Sequence, residues 1–240
     1  MELESDWKSQ NLNMIGKINK IVRKYSIVEL ISYALYSVYL ICLQWIGTFF
    51  FRLKVIFWNI QIGTNSKVTG KFLFFKYPGS KINIGNNFTS ISLSSRAMAT
   101  SIFSPTCIKT LSDSSKILIG NGVGLNGTSI TARSKTIKIG DHVMIAANVT
   151  IMDSDFHVVF PPEGRLTNPG YEFDAGIEIG ENVWIGTRCT ILKGVRIGKN
   201  SVIAAGSIVS KSIPENVVAG GIPAKVIRNL ETTKKGSKRK

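Results

Sequence analysis

Histidine is nearly absent from this chain: there are two in 240 residues, His142 and His157. With so few histidines, and with three cysteines at wide and irregular spacing (Cys42, Cys107 and Cys189), no zinc-ligand pattern can be assembled. The cysteines fit no disulfide framework either. They read as small apolar filler in a reducing compartment. Acidic residues are scarce as well: 15 Asp+Glu stand against 30 Lys+Arg, a formal charge of +15. That balance favours anionic partners such as nucleic acid, phospholipid head groups or phosphorylated ligands. No zinc-finger, helix-turn-helix or RNA-binding signature accompanies the charge, so a nucleic-acid partner is not expected. Part of the charge lies in a basic tail, 229–240, which reads as a solvated end.

What the chain does have is one long uncharged run. From Leu30 to Phe51 no residue is charged. A stretch of about 20 apolar residues is long enough to span a bilayer. It starts too late, and lacks the small-residue cleavage site, for a secretory signal peptide. Lys17, Lys20, Arg23 and Lys24 precede it and Arg52 and Lys54 follow it. A single span would therefore carry a basic flank across the membrane, against the positive-inside tendency. On a helix, Ser26, Glu29, Ser37, Gln44, Thr48 and Arg52 fall on one narrow polar stripe. Three readings stay open: a helix lying in the interface, a true span, and a soluble helix buried in an oligomer. Tyr33, Tyr36, Tyr39, Trp45 and Trp58 suit an interfacial depth. Residues 1–60 are thus expected to form a helical, membrane-associating segment that meets a membrane surface through residues 26–58.

The remainder is organised by a six-residue repeat. Ile139, Ile145 and Ile151 are in phase, and so are Ile179, Ile185, Ile191, Ile197, Ile203 and Val209. Many are followed by Gly or Ala, as in Ile139-Gly140, Ile179-Gly180 and Ile203-Ala204. Weaker versions begin at Ile84-Gly85 and Ile119-Gly120. A period of six matches neither a helix nor plain alternation. It matches a chain that makes a short strand, turns a corner of about 120°, and repeats, so that three faces close a prism of stacked coils. The aliphatic residue points inward and the compact residue after it accommodates the corner. The expected fold is mainly β, a three-sided parallel β-helix over 61–228 with its clearest periodicity from Ile117 to Ile227.

The phase breaks after Ile151. The next member is Ile179, 28 positions on where six suffice. About 22 residues are looped out, over roughly 152–176, and loops of that length in a compact repeat are functional or disordered. Phe156, Val158, Val159 and Phe160 argue against disorder and call for a packing partner, most simply a neighbouring subunit. His142 sits in an ordinary corner phrase. His157 follows Asp153 and Asp155 at the base of the excursion, where a neutral imidazole beside carboxylates suits a general base. An ordinary loop histidine is the rival reading.

Three stretches resemble the hexapeptide-repeat acyltransferases, in particular the branch containing maltose and galactoside O-acetyltransferases. They are Asp153-Ser154-Asp155-Phe156-His157, Asn182-Val183-Trp184-Ile185-Gly186-Thr187 with the Ile191–Gly198 stretch that follows, and Ile203–Lys211 with Gly220–Arg228. The resemblance covers about residues 117–228. It implies a left-handed β-helix, a hand that spacing cannot supply and that opposes the usual right-handed crossover. It implies a homotrimer with sites between adjacent prisms and acetyl-CoA as donor, with no metal. His157 would be the base, with Asp153 or Asp155 orienting the ring or only capping the turn. Thr187, Ala205, Ser210 and Lys211 would line the pantetheine arm, and Lys225 and Arg228 would approach the CoA phosphates. Trp184 and Asn126 would contact the acceptor, although Asn126 reads equally as a stacked corner residue.

The apolar front end departs from the soluble sugar enzymes of this family. It resembles instead the acetyltransferases of capsule, exopolysaccharide or lipopolysaccharide assembly, which implies a glycan or glycan-precursor acceptor at the cytoplasmic face of the membrane. O-acetylation is the first reading. N-acetylation of a nucleotide-linked amino sugar and a non-catalytic β-helix scaffold are the alternatives.

Overall fold

The computed structural model describes residues 24–230. Lys17, Lys20, Arg23 and residues 231–240 of the basic tail lie outside the described residues. By compactness the chain divides into two units, 1–43 and 44–240. The composition boundary at 60 therefore differs from the packing boundary at 43.

In the first unit, helix α1 (Ile27–Phe57) begins with a reciprocal cap. The Glu29 N–H donates to Ser26 Oγ (3.2 Å) and the Ser26 N–H donates to Glu29 Oε2 (2.8 Å), satisfying two of the orphan donors of a helix start. Ile27, Ile31, Tyr33 and Leu35 are exposed. By length and composition α1 could cross a membrane. Cys42, expected as filler, is exposed on this helix, whereas Cys189 is buried in the core and Cys107 is half-buried.

In the second unit, residues 44–57 of α1 close the open end of the solenoid. Gly47, Phe51 and Val55, spaced by four, form the buried stripe. The Phe51 ring lies 4.9 Å from Phe72, 5.6 Å from Phe74 and 6.0 Å from Phe88. The first coil exposes one row of strand amides, and α1 supplies partners for part of it. The Val68 N–H donates to Thr48 Oγ1 (3.0 Å), and Lys54 Nζ donates to the Phe72 carbonyl (2.6 Å). Thr48, read as part of a solvent or membrane stripe, is thus turned onto the protein.

The rest is a three-faced parallel β-helix. One face stacks six strands, from Gln61–Ile62 to Arg196–Ile197. A second stacks eight, from Lys67–Gly70 to Val217–Gly221, ending in the antiparallel strand Ala224–Asn229. A third stacks six, from Phe72–Lys76 to Ile208–Val209. The registers pair equivalent isoleucines: Ile139 with Ile179, Ile145 with Ile185, and Ile151 with Ile191. All six are buried, and they form the axial core with Ile119, Ile130 and Ile203. Coils begin at Gln61, well before the clear periodicity, because in the early coils the inward positions are filled less regularly. Phe74 and Ser90 stand where isoleucine stands later.

Corners of one edge place Asn87, Gly122, His142, Asn182, Asn200 and Asn216 in the left-handed region, with φ between 56° and 66°. Asparagine tolerates this conformation and bonds its neighbour in the next coil: Asn200 Nδ2 donates to Asn216 Oδ1 at 2.8 Å. His142 holds the equivalent place, and its N–H donates to the Asn121 carbonyl (2.7 Å). It is a corner residue, as its phrase implied.

The phase is broken twice, not once. Besides the excursion after Thr150–Met152, the chain leaves the prism between Thr89–Ser92 and Thr106–Thr110. This second loop, 93–105, is pinned by Asn148, whose Oδ1 accepts from the Phe103 N–H (2.9 Å) and whose Nδ2 donates to the Ser101 carbonyl (2.7 Å). Weak phase on both sides of it hid the insertion from the sequence pattern.

Candidate active site

The excursion after Met152 departs from the edge between the third and first faces. It returns at Ile177–Ile179, and two 3-10 turns, Pro162–Leu166 and Tyr171–Phe173, give it local structure. Its two ends are tied to the prism by carboxylates. Asp153 is fully buried and accepts main-chain N–H bonds from Arg133 (2.7 Å), Ser134 (3.2 Å) and Lys135 (2.8 Å). Burial pushes its carboxyl above the usual range against these three donors, with the charge of Asp174 adding to the rise. Asp174 receives Arg133 in a two-point contact, Nε to Oδ2 at 2.9 Å and Nη2 to Oδ1 at 2.7 Å, while Ser134 Oγ donates to Oδ2 at 2.6 Å. Burial opposes ionisation here too. The Arg133, Ser134 and Ser154 bonds outweigh it and hold Asp174 below the usual carboxylate range.

Arg133 is the hub. Its guanidinium also donates to the Pro169 carbonyl and stands 4.3 Å from the centre of the Tyr171 ring. One buried cation thus binds the loop at Pro169, Tyr171 and Asp174. A lone arginine after an apolar strand was visible in the sequence. Its pairing with a carboxylate 41 positions away was not, because no period links them.

His157 is exposed, and its Nδ1 lies 2.7 Å from the main-chain carbonyl of Arg165. A carbonyl oxygen can only accept, so Nδ1 carries the proton and Nε2 of the neutral ring keeps its lone pair. The Arg165 carbonyl is presented by the 3-10 turn Pro162–Leu166, and Arg165 Nη2 donates back to the Val159 carbonyl (3.2 Å). Asp153 and Asp155 carry two readings from the sequence, orienting the ring or only capping the turn, and both carboxylates are engaged away from the ring. Asp153 caps the 133–135 backbone, and Asp155 pairs with Lys193 at 2.6 Å. Val158, expected to need a neighbouring subunit, is buried under its own loop. Val159 and Phe160 remain exposed.

The other candidates lie on two edges and one face. Asn126, Thr187 and Ala205 are on the edge between the second and third faces, where successive coils bond: the Arg188 N–H to the Ala147 carbonyl and the Gly206 N–H to the Thr187 carbonyl. Asn126 Nδ2 donates to the Ile145 carbonyl (2.9 Å), the stacked-corner behaviour that was one of its two readings. The inserted loop lies beside it, for a Cβ on Gly127 would stand 2.5 Å from Ile102 Cγ2. Trp184 projects from the second face, half-exposed and in register with Met144. Ser210 and Lys211 follow the third-face strand Ile208–Val209, on the same edge as the His157 loop. Lys225 and Arg228 are exposed on the final antiparallel strand. One prism therefore separates His157 from Asn126, Thr187 and Ala205 by the width of its third face.

Similarity to known proteins agrees with this architecture. Residues 176–211 match the bacterial transferase hexapeptide family (six repeats). The chain is 45% identical over 116 residues to galactoside O-acetyltransferase of Escherichia coli K12, covering 48% of this chain and 55% of that protein. It spans about half the length of such galactoside O-acetyltransferases. It is 32% identical over 160 residues to WbbJ of the same organism, assigned as a lipopolysaccharide biosynthesis O-acetyl transferase, covering 63% of this chain and 74% of that protein. In fold it is similar to the N-acyltransferase AntD from Bacillus cereus, solved with dTDP and 3-hydroxybutyryl-CoA, with a TM-score of 0.56 at 18% identity over 75% of this chain and 88% of that one. The chain thus belongs to the hexapeptide-repeat acetyltransferase family, whose prism is a left-handed parallel β-helix.

Proposed function

We propose that the protein is an acetyl-CoA-dependent O-acetyltransferase that modifies a sugar hydroxyl of a surface polysaccharide or its precursor. The observation that carries the chemistry is the His157–Arg165 contact, because it leaves Nε2 as a base on an exposed, oriented ring. Acetyl-CoA supplies an acetyl group already activated as a thioester. His157 Nε2 takes the proton of the acceptor hydroxyl as the oxygen bonds to the acetyl carbon. The carbon–sulfur bond breaks, and the imidazolium returns its proton to the departing sulfur. No acyl-enzyme is needed. Exposed Lys211, Lys225 and Arg228 have no carboxylate partner among the described residues and suit the phosphates of the donor.

The site is completed between prisms of a homotrimer. The separation of His157 from Asn126, Thr187 and Ala205 supports this, since two different edges meet when a second prism packs alongside. The exposed Val159 and Phe160 at the loop tip give that neighbour an apolar contact. The glycan acceptor is supported by the similarity to WbbJ, of which the chain covers 74%. The exposed apolar surface of α1 supports work at a membrane, at its cytoplasmic face where acetyl-CoA is made.

The test is a screen with labelled acetyl-CoA against free sugars, nucleotide sugars and membrane-extracted glycolipids. Alkali-labile label on a carbohydrate is expected. Alkali-stable label confined to amino sugars would replace O-transfer by N-transfer, and no labelled carbohydrate at all would defeat the proposal.

A further inference from the structure

Between Leu30 and Ser112 the chain has no acidic residue at all, yet eight basic ones: Arg52, Lys54, Lys67, Lys71, Lys76, Lys81, Arg96 and Lys109. All of the chain's acidic residues lie outside this stretch, so its charge has no local compensation. Two of the eight converge on one pocket. A cavity of about 280 Å³ lies between the last turns of α1 and the first coil, lined by Gln44, Trp45, Thr48 and Arg52 from the helix and by Ser66 and Lys67 from the coil. Neither Arg52 nor Lys67 meets a carboxylate among the described residues.

Ser66 is the decisive member. It is 5% exposed, and its Oγ has no hydrogen-bond partner among the described residues. A buried hydroxyl left without a partner costs free energy, so a native protein holds one where something else fills the place. The pocket thus presents a hydroxyl donor, a guanidinium, an ammonium and a side-chain amide, and no anion. That donor set matches a phosphate ester. Its rim is apolar: Trp45 and Phe49 line it and are exposed. An apolar rim above a cationic floor matches a lipid whose chains lie outside and whose phosphate lies within.

We propose that this pocket binds the phosphate of an anionic phospholipid head group and so sets how the second unit sits on the membrane. The proposal rests on the membrane reading above and adds to it a defined head-group site.

The full chain would be partitioned onto vesicles of phosphatidylcholine alone and of phosphatidylcholine mixed with phosphatidylglycerol. Wild type is expected to prefer the anionic vesicles. Arg52→Gln with Lys67→Gln should lower that preference about tenfold while leaving binding to neutral vesicles unchanged. Ser66→Ala, which removes only the unpartnered hydroxyl, should lower it by a few fold. The charge-matched pair Arg96→Gln with Lys109→Gln, away from the pocket, should retain the preference. If that control loses as much as the pocket variant, diffuse charge explains the effect and the pocket proposal falls. Full displacement by inorganic phosphate would assign the site to free phosphate and overturn the lipid assignment. Equal binding of wild type to both vesicles would overturn the pocket and leave the membrane reading, whereas binding to neither would overturn the membrane reading itself.

Discussion

His157 and Arg165 are joined through the ring Nδ1–H and a main-chain carbonyl, 2.7 Å apart and eight residues apart in sequence. The contact lies within one loop, so the ring's tautomer is set by how that loop folds. A main-chain acceptor also cannot be removed by substitution or neutralised by acid. The ring is therefore oriented by a group that stays an acceptor at every pH.

From this relationship, His157→Ala should lower turnover by about 10²–10⁴-fold, the usual worth of a positioned base. Because the side chain is exposed, stability should change by no more than about 0.5 kcal/mol. Steady-state kinetics with labelled acetyl-CoA, alongside denaturant unfolding, check both halves. Near-normal turnover in the variant would remove His157 from the mechanism.

Arg133 acts on the site through the loop. Arg133→Met should destabilise the protein by about 3–5 kcal/mol, because Asp174 is left buried and unpaired. Adding Asp174→Leu should recover much of that loss, since a buried pair is often replaceable by apolar groups of similar volume. Turnover should stay depressed in the double variant, as Pro169 and Tyr171 lose their tether. Unfolding curves and kcat for the three proteins test this; equal activity of the double variant and wild type would show that the tether is irrelevant to catalysis.

The same pair gives the loop a defined acid lability. Asp174 has a lower pKa folded than unfolded, so its contribution is complete above the unfolded value of about 3.9 and is lost as pH falls through the folded value. Asp153 has the opposite sign. Its raised pKa favours the fold at low pH, and that contribution fades as pH rises through the folded value. Of these two carboxylates, only Asp174 loosens the loop in acid. Amide exchange over 153–176 should stay slow at mildly acidic pH and accelerate below about 3.9. In Asp174→Asn, exchange should be fast throughout, with no acid step.

The helix–prism junction decides where the front end can be cut. Removing residues 1–43 should leave a folded prism that no longer partitions strongly onto membranes. Removing 1–58 should not, because Phe51 leaves Phe72, Phe74 and Phe88 uncovered. Phe51→Ala alone should cost about 3–5 kcal/mol, and Gly47→Ala about 1–3 kcal/mol, since its Cβ would stand 2.5 Å from the Val68 carbonyl oxygen. Thermal unfolding of the two truncations distinguishes them; equal stability would mean that α1 is only an anchor.

By itself the sequence determined the solenoid, because a stacked prism repeats the same steric demand every six residues and writes it as Ile139, Ile145, Ile151 and their successors. It also marked His157, because any residue looped out of so strict a phase is conspicuous. Only the tertiary structure decided what His157 touches. Asp153 and Asp155 are its neighbours in sequence, yet one is consumed by three main-chain amides and the other by Lys193, and the ring turns to the Arg165 carbonyl instead. Arg133 and Asp174 meet across 41 positions, and the uncharged run is divided at residue 43, its later part being grouped with the prism. The physical reason is the same in each case. Periodic burial leaves a local trace along the chain, whereas hydrogen bonds and charge pairs are chosen by which groups remain unsatisfied once the coils have stacked.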